Sequence, residues 1–356
     1  MSVQHDKLAA LTAAIFRHAG SSDDEANIIA RHLIEANLVG HDSHGVIRAP
    51  AYIQWVQEGK LVPNQTITAV FENDSMAIVD GNFGFGQSIG EQSVDLGIEK
   101  CRKSGLALVG LRNAGHVGRV GDWAIRAAAQ GLVSIHFVNT SGGGILVAPF
   151  GGIERRLSAN PIAAGIPVAG GEPIIADLST CVIAEGKIRV ARNKGVPVPD
   201  NAILDGNGEP TTDPEAFYAD PPGAILTIGA HKGYVLSILC EVMAGAITGS
   251  GCSNPDNPTA KKIVNGMCSI YIDPNTIAND NFADEVKGLT DWVKSSPKTE
   301  EGGEILMPGD PELRTKAERI AGGIPLDDNT WAQLSETAAK VGINNAEIAR
   351  LAGRNV

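Results

Sequence analysis

The chain has 356 residues, a length that suits about two or three packed units better than a single hydrophobic core. Its 43% hydrophobic and 20% charged residues are typical of a soluble globular enzyme, and a net charge of −12 argues against a nucleic-acid-binding surface, which needs a basic stripe. We expect no membrane span, because no apolar run reaches ~18 residues, and a cytoplasmic location, because the N-terminus lacks a signal pattern and the five cysteines form no Cys-x-x-Cys pair.

Both ends of the chain carry the periodicity of amphipathic helices. Apolar residues recur at helical spacing over residues 8–16 and 28–38, and the C-terminal part returns to the same pattern. We therefore predict a helical terminal domain built from residues 1–60 together with 311–356. Residues 61–310 then form an α/β core.

The middle of the chain alternates between two periods. Short β-branched runs bounded by glycine predict strands, and helical patterns lie between several of them. The strands are predicted at 77–80, 106–109, 133–138, 162–168 and 174–177, and the helices at 86–103, 120–130 and 180–193. This mixture indicates a fold of the α/β class, in which strands and helices are mixed as in α+β proteins. The run from His231 to Thr248 is apolar on nearly every helix face and predicts a buried helix.

The segment His41-Asp-Ser-His-Gly-Val-Ile-Arg48 concentrates reactive side chains. If the chain is helical from His44 to Tyr52, then His44, Arg48 and Tyr52 share one face, although Pro50 would bend the axis. Histidine suits the abstraction of a hydroxyl proton, and the arginine fork suits a carboxylate. A 2-hydroxy acid offers both groups. The alternatives are a solvated helix cap, or a metal site that uses the His41 and His44 spacing, although the chain has no His-Glu-x-x-His motif.

A second candidate is the glycine-rich segment Asn113-Ala-Gly-His-Val-Gly-Arg-Val-Gly121, between a predicted strand and helix. Such a turn exposes backbone N–H groups that hold phosphate, but a plain structural turn is an equal alternative. The segment is not the G-x-G-x-x-G fingerprint, and the segment 84–90 misses that pattern by one residue. His116 within the turn is a candidate second proton carrier.

Two further segments carry charged residues next to predicted elements. Asp177 ends an apolar strand, where it either orients a histidine or caps the following helix. Lys232 starts the apolar helix and opposes its dipole, which favours an anionic partner; the alternative is a lysine that reaches solvent.

Taken in order, these motifs resemble the malate/L-lactate dehydrogenase family of the non-Rossmann type. That family includes ureidoglycolate dehydrogenases, sulfolactate dehydrogenases and piperideine-2-carboxylate reductases, and the nearest likeness is to its hydroxycarboxylate dehydrogenase branch. The likeness covers about residues 8–340. The motifs are His-Asp-Ser-His-Gly-Val-Ile-Arg at 41–48, Gly-His-Val-Gly at 115–118, Ala-Pro-Phe-Gly-Gly at 148–152, Asp-Leu-Ser-Thr at 177–180, His-Lys-Gly-Tyr at 231–234 and Met-Pro-Gly-Asp-Pro at 307–311.

The resemblance implies a nicotinamide cofactor, NAD or NADP, bound by a non-Rossmann domain with a mostly antiparallel sheet, and a homodimer with sites near its interface. Ser43, His44 and Asp177 match a relay proposed in the reductases, and His116 matches the proton acceptor proposed in ureidoglycolate dehydrogenases. Arg48 and Tyr52 match substrate-binding positions. The positions that match cofactor contacts are Gly118, Arg119, Val120, Gly121, Asp177, Leu178, Ser179, His231, Lys232, Pro308, Gly309 and Asp310.

We therefore expect an NAD(P)-dependent oxidoreductase that transfers a hydride between nicotinamide and C2 of a small 2-hydroxy or 2-keto carboxylate. The alternatives within redox chemistry are a cyclic-imine carboxylate reductase and a ureidoglycolate-type dehydrogenase. Those of other classes are a metal-dependent hydrolase that uses His41, His44 and His116, and a non-catalytic metabolite-binding protein. One departure bears on the substrate: many members carry Leu-Gly-Thr-Asn-Pro where this chain has Leu157-Ser-Ala-Asn-Pro161, so Ala159 lacks the hydroxyl.

Overall fold

A computed structural model describes residues 2–257, 263–277, 281–300 and 302–353. The strands are β1 (Ser2–Val3), β2 (Thr68–Glu72), β3 (Met76–Asp80), β4 (Leu106–Ala114), β5 (Val133–Thr140), β6 (Pro161–Ile166), β7 (Ile174–Ser179), β8 (Ile203–Leu204), β9 (Pro210–Thr211), β10 (Ala224–Ile225), β11 (Asn265–Ile272) and β12 (Ile324–Pro325). The helices are α1 (His5–His18), α2 (Asp23–Leu38), α3 (Ala49–Gln57), α4 (Gly86–Ser104), α5 (Gly121–Ala128), α6 (Glu185–Lys194), α7 (Pro214–Tyr218), α8 (His231–Cys240), α9 (Phe282–Lys294), α10 (Asp310–Gly322), α11 (Asp328–Lys340) and α12 (Asn345–Ala352).

The main sheet has the strand order β2-β3-β4-β11-β5-β6-β7. Every neighbouring pair is antiparallel except β3 and β4, which are joined by α4 and run parallel. The mixed class with a mostly antiparallel sheet is therefore confirmed. Strand β7 lies at one edge of the sheet, and the predicted cofactor-binding segments described below lie next to it.

Helices α4 and α5 pack on the main sheet through one hydrophobic cluster. Trp123 of α5 and Tyr271 of β11 are among its largest fully buried side chains. Gly97 of α4 lies against the Tyr271 ring, and a Cβ there would overlap the ring. This glycine therefore lets the helix approach the sheet closely. The packing fixes the start of α4 and the start of α5 next to each other, where the candidate site lies.

The helices at both ends of the chain share a second hydrophobic cluster. It joins Leu8 and Phe16 of α1 to Trp331 of α11 and Ile348 of α12, and it also includes Phe85 from the α/β core. Helix α2 begins as its sequence predicts, because the Ser22 side chain accepts a hydrogen bond from the Glu25 N–H. The boundaries at residues 60 and 311 stay a prediction.

The segment His231–Thr248 departs from its predicted form in two ways. After α8 the backbone continues as a π-helix over Glu241–Ile247. The segment is not buried on all sides either, because Val235 is 59% exposed and Val242 46% exposed in the single chain. With Ile238 and Leu239 they form one apolar stripe at helical spacing. The prediction of a fully buried helix was wrong for the single chain.

A smaller sheet, β10-β8-β9, covers a third cluster together with α6 and α7. Helix α6 begins at Glu185 rather than at the predicted residue 180, because Cys181 still pairs with Thr227 in a β-bridge. Among the described residues, no helix combines the length and the apolar character that crossing a bilayer requires.

Candidate active site

Two histidines from distant parts of the chain lie face to face. The imidazole rings of His44 and His116 are stacked, with centroids 5.5 Å apart and planes inclined by 18°. His44 ends a short 3-10 turn after α2, and His116 lies in the loop between β4 and α5. Both residues are half-buried. The structure thus brings together the two proton carriers that the sequence singles out.

The segment that carries His44 does not form one helix. Gly45 is extended (φ −84°, ψ −154°) and separates two short 3-10 turns. A side chain at this position would overlap Asn37, whose Oδ1 accepts a hydrogen bond from the Val46 N–H at 2.9 Å. The prediction of one helical face from His44 to Tyr52 was wrong, because these tertiary contacts override the helical spacing. The side chains converge nonetheless, through the loop that carries the second histidine.

Arg48 is the N-cap of α3, and Pro50 lies in the first turn of that helix. A proline there lacks only an N–H that would have no intrahelical partner, so the predicted bend is absent. The Nε of Arg48 donates to the Ser43 carbonyl oxygen at 2.6 Å. No carboxylate of the described residues forms an ion pair with this half-buried guanidinium. Its terminal nitrogens are therefore open to an anionic ligand.

Tyr52 connects α3 to the second histidine. Its hydroxyl oxygen lies 2.6 Å from Nδ1 of His116, and Gln87 Nε2 donates to the same oxygen at 3.1 Å. The tyrosine is 1% exposed. Burial raises the pKa of Tyr52 to about 12, although the nearby Arg48 opposes this. The phenol therefore stays protonated near neutral pH and acts through hydrogen bonds.

Both imidazoles are neutral at pH 7. Burial, reinforced by the positive charge of Arg48, lowers the pKa of His44 to about 3. Burial, Arg48 and His44 together lower the pKa of His116 well below its usual value. The physical cause is the same in both cases, since a charged ring loses hydration among apolar groups and beside a guanidinium. A neutral imidazole is the form that takes a proton from a hydroxyl group.

Ser43 and Asp177 are placed differently from each other. The Ser43 hydroxyl lies 3.1 Å from Nδ1 of His44. The Asp177 carboxylate instead accepts from the Gly121 N–H at 3.1 Å and lies 3.2 Å from Arg119 Nε. The structure brings together the first two members of the expected relay, and it joins Asp177 to the start of α5 rather than to a histidine.

The glycine-rich turn 115–121 is therefore already capped at its helix end. The N–H of Gly121 is donated to Asp177 and is not free for a phosphate. Gly118 has a positive φ of +74°, and Arg119 is buried and pairs with Asp122 at 2.9 Å. Burial raises the pKa of Asp177, although Arg119 opposes this. At Gly121 these contacts favour the structural turn over the phosphate cradle.

The predicted cofactor segments all meet at β7, the edge strand of the main sheet. The start of α5 contacts it through Asp177, as described above. The turn 308–310 lies along it, because Pro308 O accepts from the Ile175 N–H at 3.0 Å. The start of α8 lies at its end, where the Ile228 N–H donates to Thr180 O at 2.9 Å. Leu178 and Ser179 are part of the strand itself.

The N-terminus of α8 presents the cation that the sequence singles out. His231 and Lys232 are both exposed, and no carboxylate of the described residues pairs with Lys232. The preceding residue, Ala230, has φ +55° and ψ −114°, a conformation that strains a residue with a Cβ. The N–H groups of Lys232 and Gly233 already donate to the carbonyl oxygens of Gly229 and Ile228, at 3.2 and 2.8 Å. The exposed ammonium group at the positive end of the helix dipole is therefore the feature that suits a phosphate or a carboxylate.

His41 does not join the histidine pair. Its Nε2 lies 3.3 Å from Glu312 Oε1 at the start of α10. In the part of the chain that the structure describes, no group of three or more His, Cys, Asp or Glu side chains is arranged to hold a metal ion. Among the described residues, His41, His44 and His116 are therefore not arranged as a set of metal ligands.

The departure at position 159 has a local structural counterpart. Ala159 packs against the third hydrophobic cluster, and the neighbouring Ser158 hydroxyl donates to the Gly144 carbonyl at 3.1 Å. The serine hydroxyl is used inside the protein.

Sequence reasoning missed two groups of residues near the site. Gln87 lies in the segment 84–90, which attracted notice only as an imperfect glycine motif. His32 is buried between Asp122 and Glu91, whose hydrogen bonds outweigh burial and raise its pKa. Neither partner is close to His32 along the chain, so no spacing rule would have found this network.

Comparison with known proteins agrees with this geometry. The family model of malate/L-lactate dehydrogenases matches residues 3–335. Hydroxycarboxylate dehydrogenase B of Escherichia coli is 40% identical over 332 residues, which cover 93% of this chain and 91% of that protein. The structure of a proposed malate/lactate dehydrogenase from E. coli has a TM-score of 0.93 at 38% identity and covers 99% of this chain and 98% of its own. A Δ1-piperideine-2-carboxylate reductase from Pseudomonas syringae has a TM-score of 0.83 at 30% identity, with 95% and 99% covered.

Together with the fold, these comparisons define an oxidoreductase that acts on hydroxy acids. The chain belongs to the malate/L-lactate dehydrogenase family.

Proposed function

We propose that the protein transfers a hydride between nicotinamide and C2 of a small 2-hydroxy or 2-keto carboxylate, with malate-like or lactate-like acids as the substrate class. The observation that carries the proposal is the Arg48 guanidinium, which lacks a carboxylate partner among the described residues and lies beside two neutral imidazoles. The guanidinium matches a carboxylate, and an imidazole matches the hydroxyl proton on the adjacent carbon.

In this proposal His116 takes the hydroxyl proton. Arg48 binds the substrate carboxylate, and His44 holds the substrate from the other side with its ring oriented by the Ser43 hydroxyl. Tyr52 orients His116 through the hydrogen bond at 2.6 Å. The partial burial of both histidines limits the amount of water around the reacting atoms.

The nicotinamide, when bound, accepts or supplies the hydride. The residues around β7 fit such a group, because Lys232 is exposed at the start of α8 and lacks a carboxylate partner among the described residues, which suits a pyrophosphate. Pro308, Gly309 and Asp310 lie along the same strand. The proposal applies to NAD and to NADP as the cofactor.

The decisive experiment is a panel of 2-keto acids, each tested with NADH and with NADPH. We expect absorbance of the reduced nicotinamide to decay with at least one small 2-keto acid, and His116→Ala to abolish this decay. The surface variant His18→Ala is the control and should retain wild-type turnover. Near-normal turnover of His116→Ala together with loss in His44→Ala would reverse the two histidine roles. Absence of turnover with every acid would contradict the proposal.

A second candidate is cyclic-imine carboxylate reduction, favoured by the likeness to the piperideine-2-carboxylate reductase fold. The same carboxylate clamp would bind such a substrate, and the imine nitrogen would take the proton. Adding a cyclic-imine acid to the panel separates the two, because a much larger kcat/KM for the imine would favour this candidate.

We also propose a homodimer. Support comes from the apolar stripe of Val235, Ile238, Leu239 and Val242, which the single chain leaves exposed. A cytoplasmic location is part of the proposal, supported by five cysteines that form no disulfide.

A further inference from the structure

Gln87 combines full burial with an unused hydrogen-bonding atom. It is the second residue of α4 and is 0% exposed. Its Nε2 donates to the Tyr52 hydroxyl oxygen at 3.1 Å, whereas its Oε1 has no hydrogen-bond partner among the described residues. Buried amide oxygens are normally bonded, so an unpaired one beside a functional site needs an explanation.

The direction of the hydrogen bonds decides which nitrogen of His116 carries the proton. With Gln87 as the donor, the Tyr52 proton points to Nδ1 of His116, at 2.6 Å. The single proton of the neutral ring is then on Nε2. A ring in this tautomer offers no lone pair away from Tyr52, and it does not take a hydroxyl proton.

Turning the Gln87 amide by 180° about its last torsion reverses every bond in this chain. Oε1 then lies at the Tyr52 hydroxyl and accepts its proton. The Tyr52 oxygen in turn accepts from Nδ1–H of His116, and the Nε2 lone pair becomes free. Nε2 then takes the position of Oε1, where the described residues offer it no partner, so the two orientations differ in the tautomer they impose and not in the number of unpaired atoms.

We infer that Gln87 is a positioning residue that sets the tautomer of His116 through Tyr52. The inference rests on the proposed function, in which His116 Nε2 takes the hydroxyl proton. In that step the substrate O–H bond breaks, an Nε2–H bond forms, the C2 hydride leaves to the nicotinamide and the C2=O bond forms. The Nδ1–H bond stays in place throughout, so no proton passes through Tyr52.

The two ends of this hydrogen-bonded chain support the assignment. Burial raises the pKa of the Tyr52 phenol to about 12. Tyr52 therefore keeps its proton near neutral pH, and the direction of its hydrogen bonds determines which nitrogen of His116 is protonated. Helix α4 is held close to the histidine loop, because a Cβ at Gly86 would overlap the His116 carbonyl. The close packing of the α4 backbone against the histidine loop therefore fixes the position of Gln87.

The test compares two substitutions that push the tautomer in opposite directions. In Gln87→Glu, studied at a pH above the raised pKa expected for a buried carboxyl group, the carboxylate only accepts, so Tyr52 donates to it and His116 keeps the proton on Nδ1. In Gln87→Met nothing accepts from Tyr52 except Nδ1, so the proton is held on Nε2. The matched control is Gln92→Met on the same helix, a half-buried glutamine whose Oε1 accepts from the Ile67 N–H at 3.0 Å.

We expect kcat of Gln87→Met to fall about 100-fold or more, within the range of general acid–base effects, because an imidazole base held in the wrong tautomer fails. KM for the carboxylate should change less than about threefold, since Arg48 is untouched. Gln87→Glu should keep kcat within about tenfold of wild type, and Gln92→Met should leave it unchanged. Circular dichroism checks folding. If the Met variant fails to fold, the His116 tautomer in the Glu variant is the test, because a proton on Nε2 there would overturn the inference.

Nitrogen-15 spectra of histidine-labelled protein read the His116 tautomer without any turnover, with His116→Asn identifying its signals. Opposite tautomers in the Glu and Met variants support the inference, even if no 2-hydroxy acid is a substrate and the proposed function fails. The same tautomer in both folded variants, or a Met variant with wild-type kcat, overturns the role of Gln87 while leaving the proposed function intact.

Discussion

The Tyr52 hydroxyl oxygen lies 2.6 Å from Nδ1 of His116. This contact joins the helix that follows the arginine to the loop that carries the second histidine. It also leaves Nε2 as the ring nitrogen available to a substrate. The hydrogen bond is therefore the link between substrate binding and proton transfer.

Removing this hydroxyl should damage catalysis more than binding. We expect Tyr52→Phe to lower kcat by about 10- to 100-fold, because His116 loses the partner that orients its ring. KM for the keto acid should change less than kcat. Steady-state kinetics measure both. The control is Tyr271→Phe, a buried tyrosine in β11 that contacts neither His44 nor His116, and equal losses in the two variants would refute the specific role of Tyr52.

Arg48 should be irreplaceable by lysine. We expect Arg48→Lys to raise KM for the carboxylate substrate by about 10- to 100-fold with a smaller effect on kcat, since an ammonium group lacks the planar fork. Arg17→Lys serves as a control, because Arg17 pairs with Asp23 at the surface. A KM of Arg48→Lys equal to wild type would show that the guanidinium does not bind the carboxylate.

The pH profile should reflect the depressed pKa of His116. In the direction of hydroxy acid oxidation, kcat/KM should stay level as the pH falls through 6.5, because the base remains neutral well below that value. An ordinary imidazole would lose activity there. Initial rates in constant-ionic-strength buffers from pH 8 downward provide the measurement, and a fall of wild-type kcat/KM with an inflection near 6.5 would contradict the expectation.

His136 should make folding sensitive to acid. It is fully buried in β5, and burial lowers its pKa to about 3 from the usual 6.5. The unfolded chain binds a proton below pH 6.5 and the folded chain does not, so this contribution to stability is present above pH 6.5 and is lost as the pH falls towards 3. The loss amounts to about 1.4 kcal/mol per pH unit.

The matching variant is His136→Gln, which keeps a hydrogen-bonding side chain beside Ser134 and Ser269. Urea unfolding at pH 7 and pH 5 gives the free energy of unfolding for both proteins. The wild type should lose more stability over this interval than the variant. Parallel losses would show that His136 is protonated in the folded state.

The apolar stripe of α8 and the π-helix should control assembly. Val242→Asp places a charge where 46% of the valine is exposed in the single chain. We expect this variant to sediment as a monomer while the wild type sediments as a dimer. Val190→Asp on α6, where the valine is 50% exposed, is the control. A dimer of unchanged stability in Val242→Asp would exclude this stripe from the interface.

Periodicity predicted most elements of the main sheet and the helices at both chain ends. The short β-branched runs became strands because alternate side chains face the cluster beneath α4 and α5. Periodicity could not locate the break at Gly45, because the break depends on Asn37, which lies in another helix. Periodicity also predicted wrongly that α8 is buried on all sides. An apolar helix face has the same sequence pattern whether the same chain covers it or not.

The candidate site was predictable as a set of residues but not as a geometry. The pattern around residues 41–48 pointed to His44 and Arg48, and a glycine-rich turn pointed to His116. The contact between Tyr52 and Gln87 was not predictable, because it depends on how closely α4 approaches the histidine loop. Hydrogen-bond partners at a distance in sequence become visible only when the packing is known.

The shared cluster of the terminal helices has a consequence for biosynthesis. Leu8 and Phe16 of α1 are synthesised early, whereas Ile348 of α12 follows more than 300 residues later. The N-terminal helices therefore emerge from the ribosome with an apolar face that waits for its cover throughout translation. We therefore expect a chain that ends before α12 to expose part of this cluster and to aggregate more readily than the full chain.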